Sequence, residues 1–136
     1  MRQILLFAAL AASLALLSGC ALSKTKADTA EDMTYHKLSA EEAYEMMASQ
    51  EVVVVDVRTR EEYDGGHIEN AVLVSNESIS SEMPEALPDK EATLLVYCRS
   101  GRRSKDAAQK LLKLGYQSVY DFGGIIDWPY ELVKEG

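Results

Sequence analysis

An α/β fold, a three-layer sandwich around a mostly parallel sheet of about five strands, is predicted by three observations. Residues 52–55 (VVVV) and 93–97 (TLLVY) are unbroken apolar runs, the pattern of strands covered on both faces. Residues 103–114 set Ala107, Ala108, Leu111, Leu112 and Leu114 on one stripe of a helix that Gly115 ends. Strand and helix signals alternate along the chain, which calls for right-handed crossovers.

The elements follow in order. Residues 4–17 (ILLFAALAASLALL) stand behind a lone Arg2. The run is short for a membrane span, which needs about 20 residues, and suits the apolar part of an export signal. Leu17-Ser18-Gly19-Cys20 looks like a bacterial lipobox, so residues 1–19 are expected to be a lipoprotein signal peptide and Cys20 the lipidation site. A diacylglyceryl group would anchor the exported protein to the periplasmic or extracellular face of a bacterial membrane. Residues 20–34 then form a lipidated cysteine and flexible tether, and residues 35–134 the folded domain.

Within the domain, residues 35–38 suit a short strand. Ser39 and Glu42 have capping-box spacing ahead of a helix over 40–48. The valine strand comes next. Thr59 and Glu62 repeat the capping spacing and open a short helix that Gly65-Gly66 ends. Residues 71–74 suit another short strand, and 75–91 a loop with one helical turn. After the 93–97 strand and the 103–114 helix, residues 118–120 form the last strand. Gly123-Gly124 then turns the chain into a closing helix over 125–133, with Pro129 in its first turn or breaking it.

The composition narrows the function. A chain of 136 residues with 47% hydrophobic content makes one compact domain. Its net charge of -8 repels a nucleic-acid backbone, so no nucleic-acid partner is expected. Two cysteines and two histidines leave little for a metal site, and no cofactor is expected.

Ligands of a parallel sheet sit at the carboxyl ends of its strands. There Cys98 follows the apolar strand, and Arg99, Ser100, Gly101, Arg102, Arg103 and Ser104 lead into a helix. Free amides at the helix head, the helix dipole and the cations Arg99, Arg102, Arg103 and Lys105 all favour a thiolate. Gly101 lets the loop take angles that other residues resist. A buried cysteine that merely packs would leave three arginines within five residues unexplained. The residues assemble a nucleophilic sulfur inside an anion cradle, on an otherwise acidic protein.

The loop CRSGRRS, with DVR at 56–58 and EEYDGGHIENA at 61–71, resembles the rhodanese domain. Tyr63, Gly66, His67, Ile68 and Ala71 fill the family's aromatic-x-x-Gly-His-Ile-x-x-Ala box, and Gly123-Gly124-x-x-x-Trp128 fits its close. Asn70 departs from the glycine usual there. The resemblance covers residues 35–133 and implies the rhodanese-like fold and sulfur transfer. Cys98 would be the nucleophile, taking sulfur from a small anionic donor such as thiosulfate and passing it to a thiol or cyanide. Loop amides from Arg99 to Arg103 would hold the persulfide, and Arg99, Arg102 and Arg103 would bind the donor's sulfonate. Asp56, Arg58 and His67 are supporting candidates. The resemblance implies that Arg58 is a structural ion-pair member. Asp56 either orients loop groups or caps the following turn, and a hydrogen-bonding structural role suits His67 better than that of a base.

Three alternatives compete. Cys98 could carry a persulfide for a dedicated partner, and a thioredoxin-like partner fits that chemistry. Related phosphatases and arsenate reductases place an arginine six positions after the cysteine, where this chain has Ser104, so that reading ranks lower. Thioredoxin-type exchange lacks a resolving cysteine, because the only other one is Cys20. Trp128 and Tyr130 could line a mouth, with core packing the default. Glu31, Asp32, Glu41, Glu42 and Glu45 read as a solvated face.

Overall fold

The computed structural model describes residues 35–135. The expected signal peptide (residues 1–19), the expected lipidation site Cys20 and the expected tether (residues 20–34) lie outside the described residues. No helix among the described residues is long and apolar enough to cross a membrane.

The chain runs β1 (His36–Lys37), α1 (Ala40–Ser49), β2 (Val53–Asp56), α2 (Arg60–Asp64), β3 (Val72–Leu73), β4 (Thr93–Cys98), α3 (Arg102–Lys113) and β5 (Ser118–Gly124). Single 3-10 turns at Asn76–Ser78 and Ile125–Asp127 complete it. The sheet order is β1-β5-β4-β2-β3, and every pairing is parallel. β4 is therefore central, and its neighbours keep both backbone edges paired. The register Val55↔Val96 and Val96↔Asp121 aligns the carboxyl ends of β2, β4 and β5.

The apolar runs supply both faces of the sheet. Val55, Leu94, Val96 and Cys98 point toward Ala107, Ala108 and Leu111 of α3. Val54, Leu95 and Tyr97 point the other way, toward Ala43 of α1 and Tyr63 of α2. That two-residue alternation, with no polar face, is what a central parallel strand requires. Both predicted capping boxes close: Ser39 with Glu42, and Thr59 with Glu62. Asn70 has φ 64, the left-handed region where glycine is at ease and asparagine tolerable, so its departure from the usual glycine carries little strain.

The closing helix does not form. After Ile125–Asp127 the chain runs irregularly, and Val133 pairs with His67 through two 2.9 Å backbone hydrogen bonds. Pro129 accounts for this, because a residue before proline is driven out of the helical region. Trp128 accordingly stands at φ -80, ψ 111. β5 also runs beyond residue 120, to Gly124, carrying the sheet up to the Cys98 loop.

A buried polar network joins the ends of β2 and β4. Asp56 is fully buried and Arg58 nearly so. Arg58 Nε and Nη2 donate to Asp56 Oδ1 and Oδ2 at 3.0 and 2.7 Å, and Nη2 also donates to the Gly66 carbonyl at 2.7 Å. The Tyr97 hydroxyl donates to Asp56 Oδ2 at 2.6 Å and accepts from the Ile68 amide at 3.1 Å. Every buried charge here is paired, which makes the loss of one partner costly. Arg58→Met leaves the Asp56 carboxylate without its cation. Urea unfolding is expected to show a loss of about 3–5 kcal/mol with an unchanged denaturant slope.

Candidate active site

Cys98 is the last residue of β4, with 1% of its surface exposed. The chain then turns through Arg99 and Ser100, and Gly101 is the N-cap of α3 at φ 100, a left-handed conformation that suits glycine. No side chain caps this helix, and no acidic residue stands in its first turn. The free amides at its head instead meet the sulfur. Gly101 N–H donates to Cys98 Sγ at 3.0 Å.

Ser104, six residues after Cys98, stands on the first turn of α3 and is fully buried. Its Oγ lies 3.6 Å from Cys98 Sγ. In the neutral thiol, Sγ donates to that oxygen while the hydroxyl donates to the Gly101 carbonyl at 3.1 Å. Once the thiol proton leaves, the hydroxyl hydrogen is free to turn to the sulfur. Burial pushes the Cys98 thiol up. The Ser104 hydroxyl and the amides of Ser104, Gly101 and Ser100 outweigh it, and the thiol ionises below its ordinary range.

The predicted donor-binding residues divide. Arg99, Ser100 and Arg102 are exposed around the loop, and Gly101 turns it. Arg99 lines a hollow of about 420 Å³ together with Glu62, Ile125, Ile126 and Leu132. Arg103, expected to bind the donor's sulfonate, is paired with a carboxylate. Its Nη1 and Nη2 donate to Glu62 Oε2 and Oε1 at 2.7 and 2.8 Å. A two-pronged bond of this kind occupies the guanidinium fork and fixes its direction. Arg103 in turn holds the Glu62 carboxyl down, to about 2.

The supporting candidates are framework. Asp56 takes the turn-capping alternative: its Oδ1 accepts the Arg58 amide at 2.9 Å, and its remaining bonds go to the Arg58 and Tyr97 side chains. Arg58 is the ion-pair member expected of it. His67 is buried, stacks on Tyr63 with ring centres 3.6 Å apart, and places Nδ1 2.8 Å from the Tyr63 carbonyl. Both contacts are to Tyr63, and they fix the ring against α2. Trp128 and Tyr130 pack with Phe122 and Tyr44. They line a different cavity, of about 640 Å³, to which no residue of the Cys98 loop contributes.

Three contributors escape the sequence reading. Glu62 satisfies a capping box, and that role masks its second bond to Arg103. Ser104 is legible only as the residue standing where a phosphatase has arginine. Gly124 reads as a turn but sits opposite Cys98 in the sheet. A Cβ on it would lie 2.2 Å from the Arg99 carbonyl oxygen and 2.6 Å from Ser100 Cα, so only glycine lets β5 pass beneath the loop.

Two outcomes follow from this geometry. Ser104→Ala removes a donor to the thiolate. Thiolate absorbance near 240 nm, with Cys98→Ser as the blank, is expected to titrate below the ordinary thiol value of about 8.5 in the unaltered protein and to move toward it in the variant. Gly124→Ala forces the loop backbone away. Its thiolate titration should shift upward too, with a stability loss of about 1–3 kcal/mol from overpacking in urea unfolding.

Comparison with known proteins agrees with this fold and loop. The family model for the rhodanese-like domain matches residues 39–129. A rhodanese from E. coli, solved with anions, is 34% identical with a TM-score of 0.56, covering 61% of this chain and 98% of that one. A rhodanese-related protein from Thermoplasma volcanium is 28% identical at a TM-score of 0.64, covering 74% and 100%. A human single-domain sulfurtransferase is 27% identical at 0.61, covering 68% and 93%. Among curated proteins, a tRNA uridine(34) hydroxylase of Yersinia pestis is 32% identical over 106 residues, which is 74% of this chain and 30% of that protein. The chain thus spans less than a third of the length of that relative. With the loop, the sheet and the family model in agreement, the chain belongs to the rhodanese-like domain family, a family of sulfur-transfer proteins.

Proposed function

We propose that the protein is a thiosulfate-type sulfurtransferase that works through a persulfide on Cys98. The observation that carries this reading is the Gly101 amide 3.0 Å from Cys98 Sγ, at the head of a helix that no side chain caps. A sulfur held by amides is poised as a thiolate, and the same amides suit the charged persulfide that follows.

The chemistry is a two-step displacement. The Cys98 thiolate attacks the outer sulfur of thiosulfate. A sulfur–sulfur bond forms to Cys98, the bond to the sulfonate sulfur breaks, and sulfite leaves with that electron pair. The product is the Cys98 persulfide anion. An acceptor, cyanide or a thiolate, then attacks the terminal sulfur and leaves as thiocyanate or as its own persulfide, and the Cys98 thiolate returns. Charge is conserved in both steps, and neither needs an outside oxidant. Arg99 and Arg102, exposed beside the loop, would meet the sulfonate. A phosphoryl reaction would want a guanidinium turned to the sulfur, and Arg103 is turned to Glu62 instead, which weighs against the phosphatase alternative. The hydroxylation named for the Yersinia relative belongs to a longer protein, of which this chain covers 30%, and is not carried over.

Intact-protein mass spectrometry before and after thiosulfate tests the reading. The expected result is a gain of one sulfur atom on Cys98, removed by cyanide with release of thiocyanate. Cys98→Ser should keep its circular dichroism spectrum and gain nothing. A reduced, accessible Cys98 that takes no sulfur, or full turnover in the serine variant, would overturn the proposal.

A further inference from the structure

The loop counts three arginines, yet one of them is already spent on a carboxylate from another element. Glu62 belongs to α2, outside the loop, and both of its oxygens face Arg103 at 2.7 and 2.8 Å. The pair is half sheltered, each side chain keeping 28% of its surface exposed. Glu62 is itself fixed from behind: its Oε2 accepts the Thr59 amide at 3.0 Å and the Thr59 hydroxyl at 3.1 Å. The carboxylate therefore holds its place, and the guanidinium is brought to it. Glu62 and Arg99 also line the same hollow beside the loop, so an anion entering past Arg99 meets a carboxylate there as well. Arg103 stands on the first turn of α3 beside Ser104, whose Oγ lies 3.6 Å from Cys98 Sγ.

Resting on the reading that Cys98 takes a sulfane sulfur, we propose that Glu62 is a specificity-determining residue that cancels the charge of Arg103 beside the sulfur. It thereby shifts the choice of donor from doubly charged thiosulfate toward singly charged donors such as thiosulfonates and persulfides. The effect is one of local charge. A second negative charge on the donor gains from each uncompensated cation nearby and loses to each carboxylate, whereas the transfer step is the same for both donors. With methanethiosulfonate, the Cys98 thiolate takes the outer sulfur and methanesulfinate leaves with the electron pair, as sulfite does from thiosulfate.

Glu62→Gln tests this cleanly, because glutamine serves a capping box as glutamate does. The measurement is kcat/KM for thiosulfate and for methanethiosulfonate, on the full chain at low ionic strength. The ratio of thiosulfate to methanethiosulfonate is expected to rise about fourfold in the variant, the size of one unit charge acting through a partly aqueous medium. The rise should shrink as salt is added. Arg103→Met removes the cation and leaves the Glu62 charge bare, so it should move the ratio the opposite way and stands as the second variant if the first does not fold. A purely structural pair would slow both donors by one factor. An unchanged ratio, or a shift of the same sign in both variants, overturns the role of Glu62 and leaves the sulfurtransferase reading intact. Failure of the unaltered protein to take sulfur from either donor overturns both.

Discussion

The head of α3 is the constraint on which the rest depends. A helix begins with amide hydrogens that have no partner inside it, and proteins ordinarily spend a serine, threonine or aspartate side chain on them. Both other helices do so, with Ser39 and Thr59. α3 begins at a left-handed glycine with no side chain to offer, and Cys98 Sγ accepts the Gly101 amide. The helix thus relies on the sulfur for a capping bond, and the sulfur relies on the helix for its charge. Burial opposes ionisation of Cys98, and only the directed donors of the loop and Ser104 turn the balance.

Holding that loop in place requires agreement among three strands. β4 delivers the cysteine, β2 lies on one side of it, and β5 lies on the other with Gly124 level with Cys98. The missing side chain at Gly124 gives the Arg99 carbonyl room, and that carbonyl accepts the Ile126 amide at 3.2 Å. β5 therefore acts as a floor for the loop, and the turn after it acts as a clasp. On the β2 side, the Asp56–Arg58 pair and the Tyr97 hydroxyl fasten the ends of β2 and β4 to the Gly66–Ile68 segment. These charges lie beside the active loop but bond to one another. Their work is to stiffen the strand that carries Cys98.

What could be read from the sequence divides along the same line. Local signals carried well: the capping spacings, the valine run, the stripe of α3 and the glycine that ends it are properties of a few neighbouring residues, and each stands as expected. The cysteine was legible because strand, thiol, glycine and helix head are also contiguous. The misreadings are long-range or competitive. The 125–133 helix fails because Pro129 forces Trp128 to be extended and because His67, far away in sequence, offers Val133 a backbone partner. The pairing of Arg103 is likewise invisible in its own segment, because its partner Glu62 stands 41 residues earlier. Glu62 already had a sufficient local explanation as a capping residue, and a residue with one sufficient role gives no sign of a second.

That double role also explains how an acidic chain keeps a cationic loop in order. Three guanidinium groups within five residues repel one another and would spread the loop if all were unpaired. Arg102 and Arg103 both stand on the first turn of α3, and pairing Arg103 lowers the repulsion at the helix head, where the dipole already disfavours cations. Arg99 and Arg102, exposed and without a carboxylate partner among the described residues, keep their charge for whatever approaches the sulfur. The Glu62–Arg103 pair thus ties α2 to the head of α3. Its carboxylate is anchored to α2 by a capping box, its guanidinium to α3, and the reactive sulfur sits at the start of the same helix.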